Sequence, residues 1–269
     1  MKVLFWDFGT GAAGDMLAGA LLGLLETEER ATVVATLKGL GLPGVAVACE
    51  EGASHGLAGL HFSVRVHGEE EDMVRGGGRH DHGHGGHGHV HRTLAEVLDL
   101  LAGLPLDAAV KADVAAVYRL LAEAEGKVHG ATPGEVHFHE VGMLDAIVDI
   151  AATCLLMARI APDQVVATPV QVGSGTVRCA HGILPVPAPA TALLLQGIPA
   201  YGGEIAGELC TPTGAALLRH FVQAFGPMPP MRTERIGIGL GTRDIGRPSA
   251  VRAFLGESVK LASRKEPSR

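Results

Sequence analysis

The first 25 residues read as one unit: a strand, a glycine-rich turn and an apolar helix. In residues 2–8, Val3 and Phe5 alternate with Leu4 and Trp6, so both faces are apolar, as in a strand buried inside a sheet. Such a strand needs helices to cover it, and this commits the chain to an α/β architecture. Hydrophobic residues make up 47% of the chain and aromatic residues only 4%, so the core has to be built from Ala, Val, Leu and Ile. At 269 residues the chain suits one large domain or two smaller ones.

Further along, helical periodicity covers residues 15–25 and 31–40, the second stopped by Gly41-Leu42-Pro43-Gly44. Residues 45–50 and 61–67 read as paired strands, with Phe62, Val64 and Val66 on one face. Val114, Val117, Leu121, Ala124 and Val128 recur at helical spacing in residues 111–128, and 141–160 is a long apolar helix. Strands are expected at 165–172, 176–180 and 231–237, and helices at 189–195 and 212–225. Residues 251–255 close the sheet. The expected fold is a mixed α/β sheet with packed helices in two lobes: an N-terminal lobe at 1–67, a linking loop at 68–91, a main lobe at 92–257 and a tail at 258–269.

Charge and cysteine usage exclude several function classes. The net charge is −7 and no basic cluster is longer than Arg264-Lys265, which argues against nucleic acid as a partner. No apolar run is long enough for a membrane helix and no signal peptide is visible. Cys49, Cys154, Cys179 and Cys210 form no CxxC pair, which fits reduced thiols in a cytoplasm better than a disulfide frame.

Several groupings carry possible chemistry. Six of the twelve residues in HDHGHGGHGHVH are histidine: His80, His82, His84, His87, His89 and His91. Imidazoles spaced by glycine suit a soft loop that gathers nickel, zinc or copper. The turn Gly9-Thr10-Gly11-Ala12-Ala13-Gly14 matches GxGxxG and raises a dinucleotide site, with Gly11 and Gly14 approaching a phosphate. Against it, Asp15 puts a carboxylate at the helix start, and the next acidic strand end, Glu50-Glu51, lies well beyond the spacing of about 20 residues that a ribose-binding acid needs. Asp7 and Asp15 flanking the turn suit a Mg²⁺–phosphate or nickel site better, the alternative being that Asp15 is only an early-helix carboxylate favoured by the helix dipole.

A second grouping is His137-Phe138-His139-Glu140 followed by Asp145 and Asp149. In extended chain the two imidazoles share a face, and Asp145 and Asp149 share one on the next helix. They could ligate a metal or divide general-base work, the alternative being a structural ion pair between Asp149 and an Arg. Glu125 and His129 repeat the i, i+4 spacing, which a solvated helix end explains equally well. Cys179 and His181 project to one side of an extended segment and offer a soft and a borderline nickel ligand. Thr211-Pro212-Thr213-Gly214 starts a helix with a hydroxyl cap and Pro at its first position, which makes it either a phosphate perch or simply a well-capped helix. Ser174 belongs with these candidate phosphate-holding groups, as does Arg243, whose guanidinium suits a phosphate or carboxylate.

Taken together and in order, these blocks resemble the LarC family of nickel insertion proteins. The resemblance rests on DFGTGAAGDM at 7–16, the internal His loop, LAEAEGKVHG at 121–130 and VHFHEVGMLDAIVDI at 136–150. GSGTVRCAHGILPVPAPAT at 173–191, GELCTPTGAALL at 207–218 and GIGLGTRD at 237–244 complete it. It implies a CTP-dependent cyclometallase that inserts Ni²⁺ into pyridinium-3,5-bisthiocarboxylic acid mononucleotide. One Ni–C and two Ni–S bonds would form, giving the nickel-pincer cofactor of lactate racemase, whose apoprotein is the recipient. The resemblance covers the family's N-terminal portion. It assigns CTP and Mg²⁺ or Mn²⁺ to a C-terminal LarC domain as a partner, and the expected assembly is a homo-oligomer. Nickel storage or chaperoning without catalysis is the alternative reading.

Overall fold

The computed structural model describes residues 1–68, 92–139, 141–179 and 181–260. The His80–His91 loop, Glu140 and most of the expected tail lie outside the described residues. Nine strands are labelled here: β1 (Lys2–Asp7), β2 (Val45–Ser54), β3 (Leu57–Val66), β4 (Gln164–Ala167), β5 (Thr176–Cys179), β6 (Gly182–Pro185), β7 (Ala224–Phe225), β8 (Met231–Leu240) and β9 (Ala250–Ser258). The helices are α1 (Gly14–Gly23), α2 (Thr27–Lys38), α3 (Leu94–Gly103), α4 (Ala108–His129), α5 (Leu144–Ile160), α6 (Pro189–Leu194) and α7 (Pro212–Phe221).

Seven strands form one mixed sheet in the order β7-β4-β1-β9-β8-β3-β2. β1 runs parallel to β4 and antiparallel to β9, and β8 runs antiparallel to β9 and parallel to β3. The α/β class therefore stands. Strands from residues 1–67 and from 92–257 are interleaved in this one sheet, and residues of both spans belong to one apolar core. Residues 251–255 do not close an edge: β9 lies in the interior, because Val251 and Ala253 are buried on a strand paired on both sides. The 165–172 strand breaks at Thr168-Pro169, where proline has no N–H to give a ladder.

Helix α1 crosses the middle of the sheet, and nearly all of its residues are buried. The helix and the strands meet without intervening side chains. A Cβ on Gly239 would run into the Met16 carbonyl oxygen, and one on Gly237 into that of Ala20. From the helix side, a Cβ on Gly19 would stand 2.8 Å from the Leu60 carbonyl oxygen, and one on Gly23 2.8 Å from the Cα of Gly237. α5 packs beside α1, and α4 packs on α5. No described helix is long and apolar enough to cross a membrane.

This contact sets a stability test. Gly239→Ala should cost about 3 kcal/mol or more, since the obstacle is backbone that cannot rotate away. Gly103→Ala, at the open end of α3 with nothing within 4 Å, should leave stability unchanged or slightly raised. Chemical denaturation of both variants checks the pair; equal midpoints would contradict the close seat of α1.

Candidate metal cleft

Three histidines from three separate elements converge. His129 is the last residue of α4, which stops because Gly130 takes the left-handed conformation at φ 65° and closes the helix end. His139 follows a two-residue strand, His137–Phe138, that pairs with Arg92–Thr93. Phe138 anchors that strand, fully buried edge-on against Tyr118 with ring centroids 5.8 Å apart. His181 sits in the turn of the β5–β6 hairpin, where Cys179 pairs with Gly182. The His139 and His181 rings lie 4.5 Å apart, His129 and His181 4.8 Å, and His129 and His139 6.2 Å, centroid to centroid.

One nitrogen from each ring lies within 4.8 Å of the others. Imidazoles that share a metal bind it at about 2.1 Å, so small side-chain rotations would bring the three onto one ion. The trio lines a cleft of about 200 Å³ together with Glu125, Cys179, Glu208 and Pro212. Val141, Val177 and Leu184 give it apolar walls. Glu125 stands 3.4 Å from His129 Nε2, one helical turn away, in a position to orient that ring.

The residues singled out in the sequence divide into those at the cleft and those away from it. His139, Cys179 and His181 are on its wall. His137 is not among the lining residues: the strand ends at Phe138, the chain bends at His139, and His137 stays exposed opposite Thr93. Asp145 and Asp149 are not among the lining residues; their charges reach the buried Tyr118, whose hydroxyl donates to the Val141 carbonyl at 2.9 Å. Burial pushes the Tyr118 phenol well above its ordinary range, and the charges of Asp145 and Asp149 add to the shift. Asp145 Oδ1 is sealed from water with no hydrogen-bond partner among the described residues.

The glycine turn is filled by protein. A Cβ on Gly11, whose φ is +103°, would strike the Leu209 carbonyl, and one on Gly14 would stand 2.8 Å from Asp149 Cβ. Gly214 lies against the Ala12 carbonyl. The Thr211 hydroxyl caps α7, accepting from the Gly214 amide at 3.2 Å, and shares a 2.9 Å hydrogen bond with Thr213. Ser174 Oγ donates to the Ile205 carbonyl at 2.9 Å, and Arg243 Nη1 to the Glu208 carbonyl at 3.0 Å. Asp7 Oδ1 accepts from the Gly9 amide at 3.0 Å, and its Oδ2 pairs with the Arg252 guanidinium. Neither Asp7 nor Asp15, in the first turn of α1, lines the cleft.

In the sequence His129 reads equally well as a solvated helix end, and Glu208 stands out by no pattern. The i, i+4 spacing to Glu125 was the available signal for His129. Glu208 had none, because what distinguishes it is a wall assembled from distant segments.

The sequence profile of nickel insertion proteins matches residues 4–268. Three relatives carry the name pyridinium-3,5-bisthiocarboxylic acid mononucleotide nickel insertion protein. The one from Geobacillus kaustophilus is 37% identical over 98% of this chain, that from Nocardioides sp. 40% over 95%, and that from Desulfitobacterium hafniense 36% over 96%. The chain spans 62%, 60% and 59% of their respective lengths. No solved structure matches it. With three imidazoles gathered in one cleft and a family profile running almost end to end, the chain belongs to the nickel insertion protein family.

Proposed function

We propose that this chain holds Ni²⁺ between His129, His139 and His181 and passes it to pyridinium-3,5-bisthiocarboxylic acid mononucleotide, the compound named in its relatives. The observation that carries this reading is the convergence of three imidazoles, from a helix end, a strand end and a hairpin turn, in a cleft with room beside them. Three nitrogen ligands leave coordination positions open, which a transferable metal requires. The two thiocarboxylate sulfurs of the mononucleotide occupy those positions and draw nickel off the imidazoles. As the ring C–H bond breaks, its electron pair becomes the Ni–C bond and its proton passes to a base. An imidazole released from the metal or the Glu125 carboxylate is placed to take it.

The finer steps belong to the same proposal. CTP with Mg²⁺ or Mn²⁺ drives insertion through a C-terminal LarC domain, and the product is the nickel-pincer cofactor handed to the lactate racemase apoprotein in the cytoplasm. His80–His91 raises the local nickel supply.

Two measurements check this. In a background where the six histidines of 80–91 are asparagine, calorimetric titration should show nickel binding that weakens at least about tenfold on alanine substitution of His129, His139 or His181. His137→Ala should leave it unchanged; equal effects at all four positions would remove the trio as the site. In the second, the chain with its C-terminal partner, the thiolated mononucleotide, Ni²⁺ and CTP should yield metallated nucleotide by mass spectrometry. The His139→Ala/His181→Ala variant should yield none, and deletion of 80–91 should raise only the nickel concentration required. Nickel uptake without any metallated nucleotide would identify a storage protein instead.

A further inference from the structure

We propose that the same three imidazoles, loaded with Zn²⁺, form a hydrolytic centre for small aryl esters. This activity is separate from nickel insertion, but it rests on the same reading of the trio as a metal site. His129, His139 and His181 come from three different elements, and one nitrogen of each lies within 4.8 Å of the others. Nitrogens on a tetrahedral zinc stand about 3.4 Å apart, so a modest contraction lets the trio cap one face of such an ion. Three neutral ligands leave the ion's charge uncompensated and its fourth position open. That is the donor set of zinc sites that act on substrates rather than brace a fold.

The surroundings suit that use. The Glu125 carboxylate stands 3.4 Å from His129 Nε2, and a carboxylate behind a ligating imidazole fixes the ring and strengthens it as a donor. The trio lines a cleft of about 200 Å³, so a fourth ligand can reach the ion from that space. Val177 and Leu184, paired across the β5–β6 hairpin, join Val141 in an apolar lining for the ring of an aryl ester. Beside such walls the charge of the ion is screened less than in water, and it acts more strongly on bound water and on the ester carbonyl. Water at the open position gives a proton to solvent and attacks the acyl carbon as hydroxide. Its electron pair makes the new C–O bond; the bond to the aryl oxygen breaks, and that oxygen leaves with the pair as phenolate. The other product is a carboxylic acid, which ionises, so water is the only co-reactant.

The test uses the intact chain, stripped of metal and then titrated with Zn²⁺, and para-nitrophenyl acetate as the ester. Release of nitrophenolate is followed with and without protein, so that hydrolysis by free zinc is subtracted. Zinc should raise the rate at least about tenfold over that of the metal-free chain. Triple alanine substitution of His129, His139 and His181 should remove the increase and lower the zinc bound per chain, whereas His137→Ala should keep both. If the triple variant does not fold, the single substitution His181→Ala, at an exposed position in the hairpin turn, takes its place. No increase in the unmodified chain, or an increase of the same size in the trio variant, overturns the proposal. A parallel titration with Ni²⁺ separates the two readings. A chain that binds nickel through the trio yet gains no activity with zinc loses only the hydrolytic reading. A trio variant that binds both metals as tightly as the unmodified chain removes the metal site, and both readings fall.

Discussion

The backbone-to-backbone approach of α1 to β8 and β3 fixes the part of the cleft wall that contains Pro212. Helices usually ride on a sheet over a layer of side chains. Here Gly19 and Gly23 meet Gly237, Gly239 and the Leu60 carbonyl, and that layer is missing. The close seat holds the start of α1 in place, and the start of α1 holds the next crossing. Ala12 donates to the Leu209 carbonyl and accepts from the Thr211 amide, and Gly214 tucks against the Ala12 carbonyl. The first turn of α7, with Pro212 and the preceding Glu208, therefore hangs from the first turn of α1. A methyl group added deep in β8 would shift one wall of a cleft that β8 never touches.

The other walls differ in how firmly they are held. His129 ends a 22-residue helix packed against α5, and His139 follows a strand anchored by Phe138 on Tyr118. His181 rides on a two-stranded ribbon whose Ile183 is 61% exposed, and such ribbons have little stability of their own. An ion held by all three imidazoles would tie the ribbon to the framework. This links metal occupancy to the position of Cys179 and Leu184 on the same hairpin, and so to the width of the cleft.

Local patterns in the chain were readable, and pairings between distant segments were not. The strand and helix of residues 2–25 could be read because both faces of the strand and nearly all of the helix are apolar. The capped start of α7 could be read from Thr211 and Pro212 alone. The β2–β3 hairpin runs longer than the strands expected at 45–50 and 61–67, turning at His55 and Gly56, both with positive φ. Gly237 and Gly239, in the GIGLGTRD block, seat a helix whose sequence lies more than two hundred residues upstream. Asp7 looked like a metal ligand because Arg252, its partner across β1 and β9, is equally remote. The imidazole trio was half visible for the same reason: His139 and His181 stood in suggestive motifs, whereas His129 gains meaning only when α4 ends beside them.

The donor set constrains how nickel could be chosen. Three imidazoles with a thiol nearby bind Cu²⁺ more tightly than Ni²⁺, and Zn²⁺ comparably, because affinity at such sites follows the general order of the divalent metals. A cleft of this kind cannot reject copper or zinc by affinity alone. Selection has to come from the metal supplied to the site or from the acceptor that removes it. A ligand offering two sulfurs and a ring carbon in one plane favours a d⁸ ion that accepts a square-planar arrangement, and zinc has no such preference. In the proposed transfer the geometry of the acceptor therefore discriminates against zinc, whereas copper, which also accepts a square-planar arrangement, has to be kept out by the metal supplied to the site. The cleft has only to bring metal and flat ring into contact, with Glu125 beside the metal-binding imidazoles.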